Sequence, residues 1–598
     1  MMGNAICMCD ALHGGSNRLE AVRQTLALLA ACALARANPG ARFGMAGSME
    51  HGFFCDALFD RPFGEDQLDA LMVDIRTLAE ELPNLERIEM AVPDAKALMA
   101  EGGQPFIAEL LAELERQGGI RVTLARLGDI MMPVTGPLLE RPAELPFDAV
   151  RLDRVSGAYW KGVDGNPMLT RVSGVAFADA PALDGFLLQR AEANRRDHRR
   201  LGRELDMFMI SEKIGKGLPI FLPNGATVYR ILERFIVDEE IRRGYQHVIS
   251  PVLGRKELYE TSGHLGHYHE TMYPPMRLGD EEYYLRPMTC PHHFMIFANR
   301  PRSYRELPMR IAEISPLFRK EHSGALSGLV RVLMFHLSDA HIFIEPGQFK
   351  AEFRQVVELI QYVMKCLGIS AQCSYRLSMR DAGSKRYIDD DASWTLSEGG
   401  LVEVCDEMRL DYTVAPGEAA FYGPKLDVQM RTSSGREETV FTNQIDLAMA
   451  ERFDLSYVAA DGSRQRPWII HRASLGCLER TIAFLLEHYA GALPVWLAPV
   501  QVALLPITRE QVPYAREIER RLQGFDLRVT LDERNESLNR KVREARLQRV
   551  PYLAVIGRKE AASGTLTVTD RKDGSQDVLA AEAFVERLLA EVRERRVG

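Results

Sequence analysis

The sequence predicts a multidomain α+β protein whose largest part is an antiparallel sheet with packed helices. Its 598 residues suggest roughly four domains at about 150 residues each. Hydrophobic residues make up 46% and charged residues 26%, which is typical of globular chains and excludes a disordered or fibrous one. Over residues 215–493, strand-like and helical runs mix without regular alternation, and this pattern favours an antiparallel sheet over a doubly wound fold.

Residues 1–150 alternate helical with extended patterns. Apolar residues recur at three- and four-residue spacings over 68–82, which predicts an amphipathic helix lying on a core. The apolar run 26–34, with arginines before it and small residues after it, imitates a targeting signal. The acidic residues Asp10 and Glu20 and the late start of the run favour a buried helix instead.

Two further segments flank the predicted antiparallel sheet. Residues 180–214 are strongly helical and charged, with RRDHRRLGREL at 195–205. This segment is either a solvated linker helix or a carrier of arginines that face a phosphate backbone, namely Arg195, Arg196, Arg199 and Arg200. At the C-terminal end, residues 494–598 alternate short strands with helices, which predicts a compact α/β domain.

Charge and cysteine content limit the class of protein. The formal net charge of −9 excludes a uniformly basic nucleic-acid binder but permits a local basic face. Nine cysteines at scattered positions make no disulfide framework and indicate a reducing compartment. No run reaches the ~18 to 20 apolar residues of a membrane span. We therefore predict a cytoplasmic protein without a membrane partner.

Two arginines are the first candidates for chemistry. Arg319 ends a strand-like run, and its planar guanidinium suits bidentate binding of a phosphate. Glu321 points to the same sheet face and can accept from an amino group. On chemistry alone, a surface Arg–Glu pair explains this motif equally well. Arg480, early in a helix, could grip the distal phosphates of a nucleotide, although a plain helix arginine is the alternative interpretation.

Five further segments, in order along the chain, carry a family resemblance. They are TSGH at 261–264, RPMTCPHHFMIF at 286–297, SDAHIF at 338–343, AFYGPK at 420–425 and IIHRASLG at 469–476. With the two arginine segments they resemble threonyl-tRNA synthetases, of the class II aminoacyl-tRNA synthetase family, from about residue 23 to the C terminus. The resemblance implies a class II catalytic core over 215–493, an anticodon-binding domain over 494–598 and an α+β editing-like domain over 1–179.

The resemblance also implies a zinc ion held by Cys290, His341 and His471. Their separations are far too long for a zinc-finger pattern, and singly each reads as a buried thiol or a core histidine. One thiolate and two imidazoles leave a fourth zinc position open, where threonine binds in the family. Asp339 matches the acid that accepts from the threonine hydroxyl, and Tyr422 lies by the amino group. Valine lacks the hydroxyl and is refused.

Further implied roles concern ATP and the transfer to tRNA. Arg319 contacts the substrate carboxylate and α-phosphate as a catalytic residue, and Phe335 stacks on adenine. Lys425 lines the pocket, and His264 matches the histidine that assists aminoacyl transfer. Mg²⁺ is expected to bridge the phosphates. The implied ATP-binding set is Arg319, Glu321, Arg331, Phe335, Gln444 and Arg480.

In the C-terminal domain, Arg534, Asn535 and Glu560 fall at positions that read anticodon bases in the family. The basic helix at 537–550 offers a face for the tRNA backbone, through Arg540, Lys541, Arg543, Arg546 and Arg549. The implied partners are tRNA(Thr), ATP and L-threonine. A homodimer is expected, because the first class II motif, near Pro251, forms the subunit interface in the family.

The N-terminal third departs from the family pattern. Editing domains hydrolyse serine from mischarged tRNA with a His-x-x-x-His pair and a later Cys-x-x-x-His. An ungapped placement puts Gln24, Leu28, Val134 and Leu138 at these positions, and none of them is a metal ligand or an acid–base group. We predict an editing scaffold without its chemistry. The small domain that usually precedes it in the family is also expected to be missing.

The active site departs as well. Leu337 stands where the family has a glutamine, and Cys477 replaces a serine. Thr439, Val440 and bulky Phe441 are predicted to reshape one pocket wall. Thr569 replaces an arginine of the anticodon domain. These changes leave open a specialised paralogue that activates another β-hydroxy or small amino acid, or resists an inhibitor. A non-catalytic tRNA-binding homologue is the third alternative, and the intact metal and phosphate sets argue against it.

Overall fold

The computed structural model describes residues 17–597, apart from seven internal positions: 129, 164, 268, 382, 385, 433 and 434. The fold divides into two compact units after Ala191. Antiparallel sheets with packed helices make up most of both units, which confirms the predicted α+β class. Among the described residues, no helix is both long and apolar enough to span a membrane.

The first unit combines helices with two antiparallel sheets. Its elements are α1 (Asn17–Ala37), β1 (Arg42–Met49), β2 (Gly52–Leu58), α2 (Leu68–Glu81), β3 (Glu86–Ala91), α3 (Val92–Glu101), α4 (Pro105–Arg116), β4 (Arg121–Leu127), β5 (Ile130–Pro133), β6 (Val150–Tyr159) and β7 (Met168–Ala176). The strand orders are β1-β2-β7-β6 and β3-β4-β5. The apolar run 26–34 lies in α1, where each of its residues is at most 2% exposed. It is therefore a buried helix.

The second unit begins within α5 (Ala180–Arg196), and its larger part is built on an eight-stranded sheet. The helices are α6 (His198–Glu204), α7 (Pro223–Arg242), α8 (Lys256–Thr261), α9 (His264–His267), α10 (Cys290–Ala298), α11 (Phe349–Leu367), α12 (Asp391–Glu407), α13 (Met449–Arg452) and α14 (Leu478–His488). The strands are β8 (Phe208–Met209), β9 (Ile220–Phe221), β10 (Gln246–His247), β11 (Leu253–Arg255), β12 (Met276–Leu278), β13 (Glu281–Leu285), β14 (Arg302–Ser303), β15 (Met309–Phe318), β16 (Met334–Ile344), β17 (Cys373–Met379), β18 (Tyr412–Pro416), β19 (Lys425–Arg431), β20 (Glu437–Asp446), β21 (Tyr457–Val458), β22 (Arg464–Gln465) and β23 (Trp468–Cys477).

The large sheet has the strand order β10-β15-β16-β23-β20-β19-β17-β18, and only its two end pairs are parallel. One face packs against α7, α11 and α14 in the main hydrophobic core, which includes Ile342, Phe353, Ile470 and Ile482. Because side chains alternate along a strand, the residues between these apolar positions point to the opposite face. That face carries the polar residues described below.

The C-terminal part of the second unit is a mixed five-stranded sheet with helices. Its elements are β24 (Val502–Pro506), α15 (Val512–Gln523), β25 (Val529–Leu531), α16 (Leu538–Leu547), β26 (Tyr552–Ile556), α17 (Arg558–Ser563), β27 (Thr565–Asp570), β28 (Gln576–Ala580) and α18 (Ala581–Glu594). The strand order is β25-β24-β26-β27-β28, with three parallel strands followed by two antiparallel ones.

The segment 195–205 is not one solvated helix. The chain breaks between α5 and α6 at Asp197, whose carboxylate caps α6 by accepting the Arg199 backbone N–H at 2.7 Å. His198 and Leu201 are only 3% exposed. The interpretation of this segment as a merely solvated linker is therefore wrong, because His198, Leu201 and Leu205 all pack inward.

Candidate active site

Four neighbouring strands bring distant residues into one row on the polar face of the large sheet. His341 on β16 is the register partner of His471 on β23. His471 in turn faces Gln444 on β20, and Gln444 faces Lys425 on β19. Register partners in a sheet project to the same side. This pairing makes neighbours of residues that lie far apart in sequence.

Cys290, at the start of α10, adds a thiol to this row. Its Sγ lies 3.6 Å from His471 Nδ1, which lies 2.9 Å from His341 Nε2. Asp339 precedes His341 by two positions on the same face, and its Oδ1 is 3.4 Å from His471 Nδ1. One ligand atom from each of the four residues lies within 4.8 Å of the others. The structure thus brings these four predicted residues together.

The donor set fits a zinc ion. Asp339 is 1% exposed, and neither of its carboxylate oxygens has a hydrogen-bond partner among the described residues. A buried, unpaired carboxylate is costly unless it faces a cation or a donor that arrives with a ligand. Burial, followed by the neighbouring charge of His471, holds the pKa of His341 well below its usual value. The ring is therefore neutral, which is the form that binds a metal.

A histidine that the sequence analysis missed supports this set. His293 Nδ1 lies 2.9 Å from His341 Nδ1, and its Nε2 lies 3.4 Å from Glu313 Oε2. Glu313 also accepts from Arg286 Nη2 at 2.9 Å and from Ser250 Oγ at 2.6 Å. Burial opposes the charge on Glu313, but bonds from His293, Ser250 and Arg286 outweigh it and lower its pKa to about 2. This relay of contacts, from Glu313 through His293 to His341, fixes the orientation of the His341 ring.

The phosphate-binding candidates lie along the same face. Phe335, Leu337, Asp339 and His341 alternate with inward residues on β16. The Arg319 guanidinium carbon lies 5.2 Å from the centroid of the Phe335 ring. Desolvation first, and the charge of Arg480 second, lower the pKa of Arg319. Arg319 is nevertheless solvent-exposed, and its guanidinium stays charged.

The two remaining arginines are held by different partners. Arg331 Nε pairs with Glu321 Oε2 at 3.0 Å, and the Arg331 side chain is 55% exposed. An ion pair of this kind is worth about 1 kcal/mol at most, so phosphates can displace it. Arg480 donates from Nε to the Val330 carbonyl at 3.2 Å and from Nη1 to the Thr439 carbonyl at 3.3 Å. These bonds fix Arg480 beside the loop that carries Arg331.

Three other predicted site residues make polar contacts. Tyr422 donates its hydroxyl to Gln444 Oε1 at 3.1 Å. Lys425 Nζ lies 2.5 Å from Asp427 Oδ2. His264, in the short helix α9, is 8% exposed, and its Nδ1 lies 2.7 Å from Ser262 Oγ. Lys425 therefore lies in the row that carries the candidate metal ligands, and Tyr422 contacts that row through Gln444.

Comparison with known proteins assigns the family. Residues 273–489 match the tRNA synthetase class II core domain (G, H, P, S and T), and residues 501–591 match the anticodon binding domain. The threonine–tRNA ligase of Geobacillus sp. (strain WCH70) is 43% identical over 584 residues, which cover 96% of this chain and 89% of the relative. This chain belongs to the threonine–tRNA ligase family.

Other relatives agree with this assignment. Threonine–tRNA ligase 1 of Bacillus subtilis (strain 168) is 42% identical over 591 residues, or 97% of this chain and 90% of the relative. The solved RNA binding domain of threonyl-tRNA synthetase from Cryptosporidium parvum Iowa II superimposes with a TM-score of 0.63 at 35% identity. That match covers 66% of this chain and 98% of the solved one. The predicted resemblance is therefore confirmed.

Of the departures from the threonine–tRNA ligase pattern, two fall on the active-site face and one does not. Leu337 is half-buried beside Asp339 and is the register partner of Cys477. Cys477 Sγ donates to Glu479 Oε2 at 3.3 Å. Phe441 is 1% exposed within the main core, on the side opposite to Gln444. The prediction that Phe441 reshapes the pocket wall is wrong, because its ring packs into the core.

In the anticodon-binding domain, two of the three candidate base readers already have partners. Arg534 pairs with Asp532 at 2.6 Å and with Glu544 at 2.5 Å. Glu560 accepts the Gly557 backbone N–H and the Thr567 hydroxyl, both at 2.9 Å. Asn535 is exposed beside Arg534.

One residue of the predicted basic face points elsewhere. Lys541 is 4% exposed and donates to the carbonyls of Pro506 at 3.1 Å and Asp532 at 2.9 Å. It is therefore not part of that face. Thr569, another departure, is 6% exposed and accepts from Gln576 Nε2 at 3.2 Å.

Apolar packing occupies the positions of the editing ligands. Leu28 and Val134 are 1% and 6% exposed and belong to one core cluster, against which Leu138 packs. Gln24 is 4% exposed, and its Oε1 accepts the Ser48 backbone N–H at 3.1 Å. A structural hydrogen bond and hydrophobic contacts thus stand at the four positions where the ungapped placement puts the histidines and the cysteine of editing domains.

Proposed function

We propose that this protein ligates L-threonine to tRNA(Thr) through threonyl-adenylate. One observation carries the proposal: Cys290, Asp339, His341 and His471 gather on the sheet face that also bears the Arg319–Phe335 contact. A site for a small polar amino acid and a site for a nucleotide phosphate therefore adjoin. Family membership supports the same reaction.

In the activation step, the threonine carboxylate attacks the α-phosphorus of ATP, and pyrophosphate leaves. Arg319 binds both reacting anions and stabilises the charge that develops between them. Arg331 exchanges Glu321 for the distal phosphates, which costs little because its ion pair is exposed. Arg480, held by two backbone carbonyls, binds the same phosphates, and Mg²⁺ accompanies ATP.

Amino-acid selection depends on the buried donor set. A zinc ion held by Cys290, His341 and His471 would supply a Lewis-acid position for the amino and hydroxyl groups of the substrate. Asp339 accepts a hydrogen bond from the threonine hydroxyl, which satisfies a carboxylate that otherwise lacks a donor. Valine leaves Asp339 unpaired in a buried site, and the penalty excludes it. Serine carries the hydroxyl and enters.

In the transfer step, a hydroxyl of the terminal tRNA ribose attacks the carbonyl of the adenylate, and AMP leaves. We assign His264 as the group that assists removal of the hydroxyl proton, with Ser262 fixing its ring. Arg534, Asn535 and Glu560 read the anticodon, and the first two lie together in one exposed loop.

The first unit is an editing scaffold that does not deacylate seryl-tRNA. The packing of Leu28 and Val134 and the hydrogen bond of Gln24 support this part of the proposal, since none of the three provides a metal ligand or a general base. Because serine passes the active site, purified protein should accumulate seryl-tRNA. Rapid hydrolysis of preformed seryl-tRNA by this chain would contradict it.

A homodimer and a cytoplasmic location complete the proposal. Ile249, two residues before Pro251, is 99% exposed, and a fully exposed isoleucine next to the first class II motif suits a subunit interface. None of the seven described cysteines is in a disulfide, which suits a reducing compartment. Light scattering should give a mass of twice the 67.3 kDa chain, and Ile249→Asp should halve it.

The central test is amino-acid-dependent ATP–pyrophosphate exchange on protein of known zinc content. Exchange with threonine, weaker exchange with serine and none with valine is expected. Absence of exchange with every amino acid, despite bound zinc, would refute the activity and favour a tRNA-binding homologue.

A specialised paralogue is the second candidate, because Leu337, which departs from the family pattern, lies on the active-site face beside Asp339. The same exchange assay decides between the two when it includes a panel of β-hydroxy and small amino acids. Preference for another member of the panel over threonine would select the paralogue. Threonine as the best substrate by a wide margin would reject a changed substrate.

A further inference from the structure

His198, in the charged segment at 195–205, contacts the loop that carries Arg331. Its Nδ1 lies 2.8 Å from Glu487 Oε1, near the end of α14, and its Nε2 accepts the Leu329 backbone N–H at 3.2 Å. A neutral imidazole with its proton on Nδ1 satisfies both contacts at once. His198 is 3% exposed, so water does not replace either contact easily.

The contacted loop is a tight turn with an anchored tip. Ser327 and Arg331 form two backbone hydrogen bonds, of 3.1 and 3.2 Å, that close the turn. Leu329, at the tip, is 0% exposed within the main core. The backbone position of Arg331 therefore follows from the way in which Leu329 is seated.

The turn is confined on two sides. A Cβ atom at Gly328 would lie 2.1 Å from His198 Nε2, so only glycine permits this approach, and the residue also has a φ of +49°. On the other side, Arg480 donates to the Val330 carbonyl at 3.2 Å. The loop thus lies between His198 and one of the two arginines assigned to the distal phosphates.

We propose that His198 is a positioning residue for ATP. It fixes the 327–331 turn, and through the turn it sets the places of Arg331 and Arg480, without touching the nucleotide. The neighbouring residues of its segment serve this placement: Asp197 caps α6, and Gly202 leaves room for Phe208, whose ring would lie 2.3 Å from a Cβ there. The proposal rests on the proposed ATP-dependent function.

Two neutral variants separate the two contacts of the ring. His198→Gln places an amide oxygen near the position of Nε2 and keeps an acceptor for Leu329. His198→Asn places its amide near the position of Nδ1, so it keeps a partner for Glu487 and loses the acceptor. Arg203→Ala, an exposed position on the same helix, is the control for changes in α6 itself. Gly328→Ala displaces the turn from His198 while leaving the histidine itself unchanged.

The first measurement is hydrogen–deuterium exchange of the peptide spanning 326–333 in the ligand-free protein. A buried hydrogen bond contributes about 1 kcal/mol, so the Leu329 amide should exchange about five- to ten-fold faster in His198→Asn than in the wild type. His198→Gln and Arg203→Ala should match the wild type. Equal exchange in all four proteins would overturn the proposal.

The second measurement is pyrophosphate exchange at varied ATP concentration. The KM for ATP should rise about five- to ten-fold in His198→Asn and Gly328→Ala, with kcat within a factor of three of the wild type. The KM of His198→Gln should match that of the wild type. Equal losses of kcat in the asparagine and glutamine variants would indicate a purely structural role and overturn the proposal. Gly328→Ala keeps the test available if His198→Asn does not fold. A wild type without exchange would refute the proposed function, whereas the deuterium result would still decide whether His198 holds the loop.

Discussion

His293 offers the sharpest test of the proposed metal site, because it contacts a ligand residue without being one. It is completely buried, and its two ring nitrogens connect His341 to Glu313. His293→Leu keeps a side chain of similar bulk and removes both polar contacts. Glu313 retains Arg286 and Ser250, so the charge of the relay remains paired while His341 loses its partner.

The expected loss follows from these contacts. Without His293, the Nδ1–H of His341 has no acceptor in a buried position, which costs about 1 to 3 kcal/mol. Partners of this kind typically contribute about 10- to 100-fold to metal affinity, or about 1.4 to 2.7 kcal/mol. The two figures agree, so we expect the Kd for zinc to rise about 10- to 100-fold.

Competition with a chromophoric chelator measures the Kd directly and does not depend on catalysis. His292→Leu is the matched control, since His292 lies on the same helix, is 8% exposed and has only a 3.5 Å contact with the Leu253 carbonyl. Its zinc affinity should stay within about three-fold of the wild type. Unchanged affinity in His293→Leu, or an equal loss in both variants, would refute the reasoning.

Three further predictions concern neighbouring groups. Asp339→Asn should reduce the preference for threonine over valine in pyrophosphate exchange by about ten-fold or more, because an amide oxygen is a weaker acceptor than a carboxylate oxygen. An unchanged ratio would exclude Asp339 from recognition of the hydroxyl. Burial raises the pKa of Cys290 well above its usual value, so zinc binding must release the thiol proton. The affinity for zinc should therefore increase by up to about ten-fold per pH unit between pH 6 and 8, and an affinity that does not change with pH would contradict this. Burial also raises the pKa of Asp446 to about 6, above its unfolded value, so the folded state binds the extra proton and its stability falls as pH rises from about 4 to 6. The free energy of unfolding of Asp446→Asn, relative to that of the wild type, should therefore be about 1 kcal/mol higher at pH 8 than at pH 5. Urea unfolding at constant zinc measures it, and a difference that does not change with pH would count against the prediction.

Within single strands, the sequence carries most of the information about the site. Asp339 and His341 are two residues apart, so strand alternation by itself places them on one face. The same rule applied to β20 puts Phe441, three residues from Gln444, on the opposite face. The expectation that Phe441 enters the pocket wall ignored this odd separation.

Between strands, the sequence carries little. The pairing of His341 with His471 and of Gln444 with Lys425 depends on a register that alternation cannot specify. The family resemblance, and not residue spacing, was therefore what joined Cys290 to the two histidines. His293 had a local signal, because it follows Cys290 by three residues on α10 and such residues share a helix face.

For the charged segment at 195–205, composition alone predicted a solvated helix and was wrong. Seven of its eleven residues are arginine, aspartate or glutamate, and such a run reads as solvated. The other four residues, His198, Leu201, Gly202 and Leu205, are all buried, and they decide how the segment packs. Burial of a histidine depends on partners elsewhere in the chain, here Glu487 and Leu329, which no local pattern reveals.

Alternation also bears on the choice between a threonine enzyme and a specialised one. Leu337 lies midway along β16 between Phe335 and Asp339, about 6 to 7 Å from each at the usual rise per residue, and its register partner is Cys477. The two departures on the active-site face therefore form one adjacent pair, placed between the proposed adenine and hydroxyl subsites. Asp339 itself and the proposed metal ligands are the residue types that the resemblance implies. An alteration there acts on the region of the carboxylate and α-phosphate more than on the amino-acid side chain, and this favours retained selectivity for threonine.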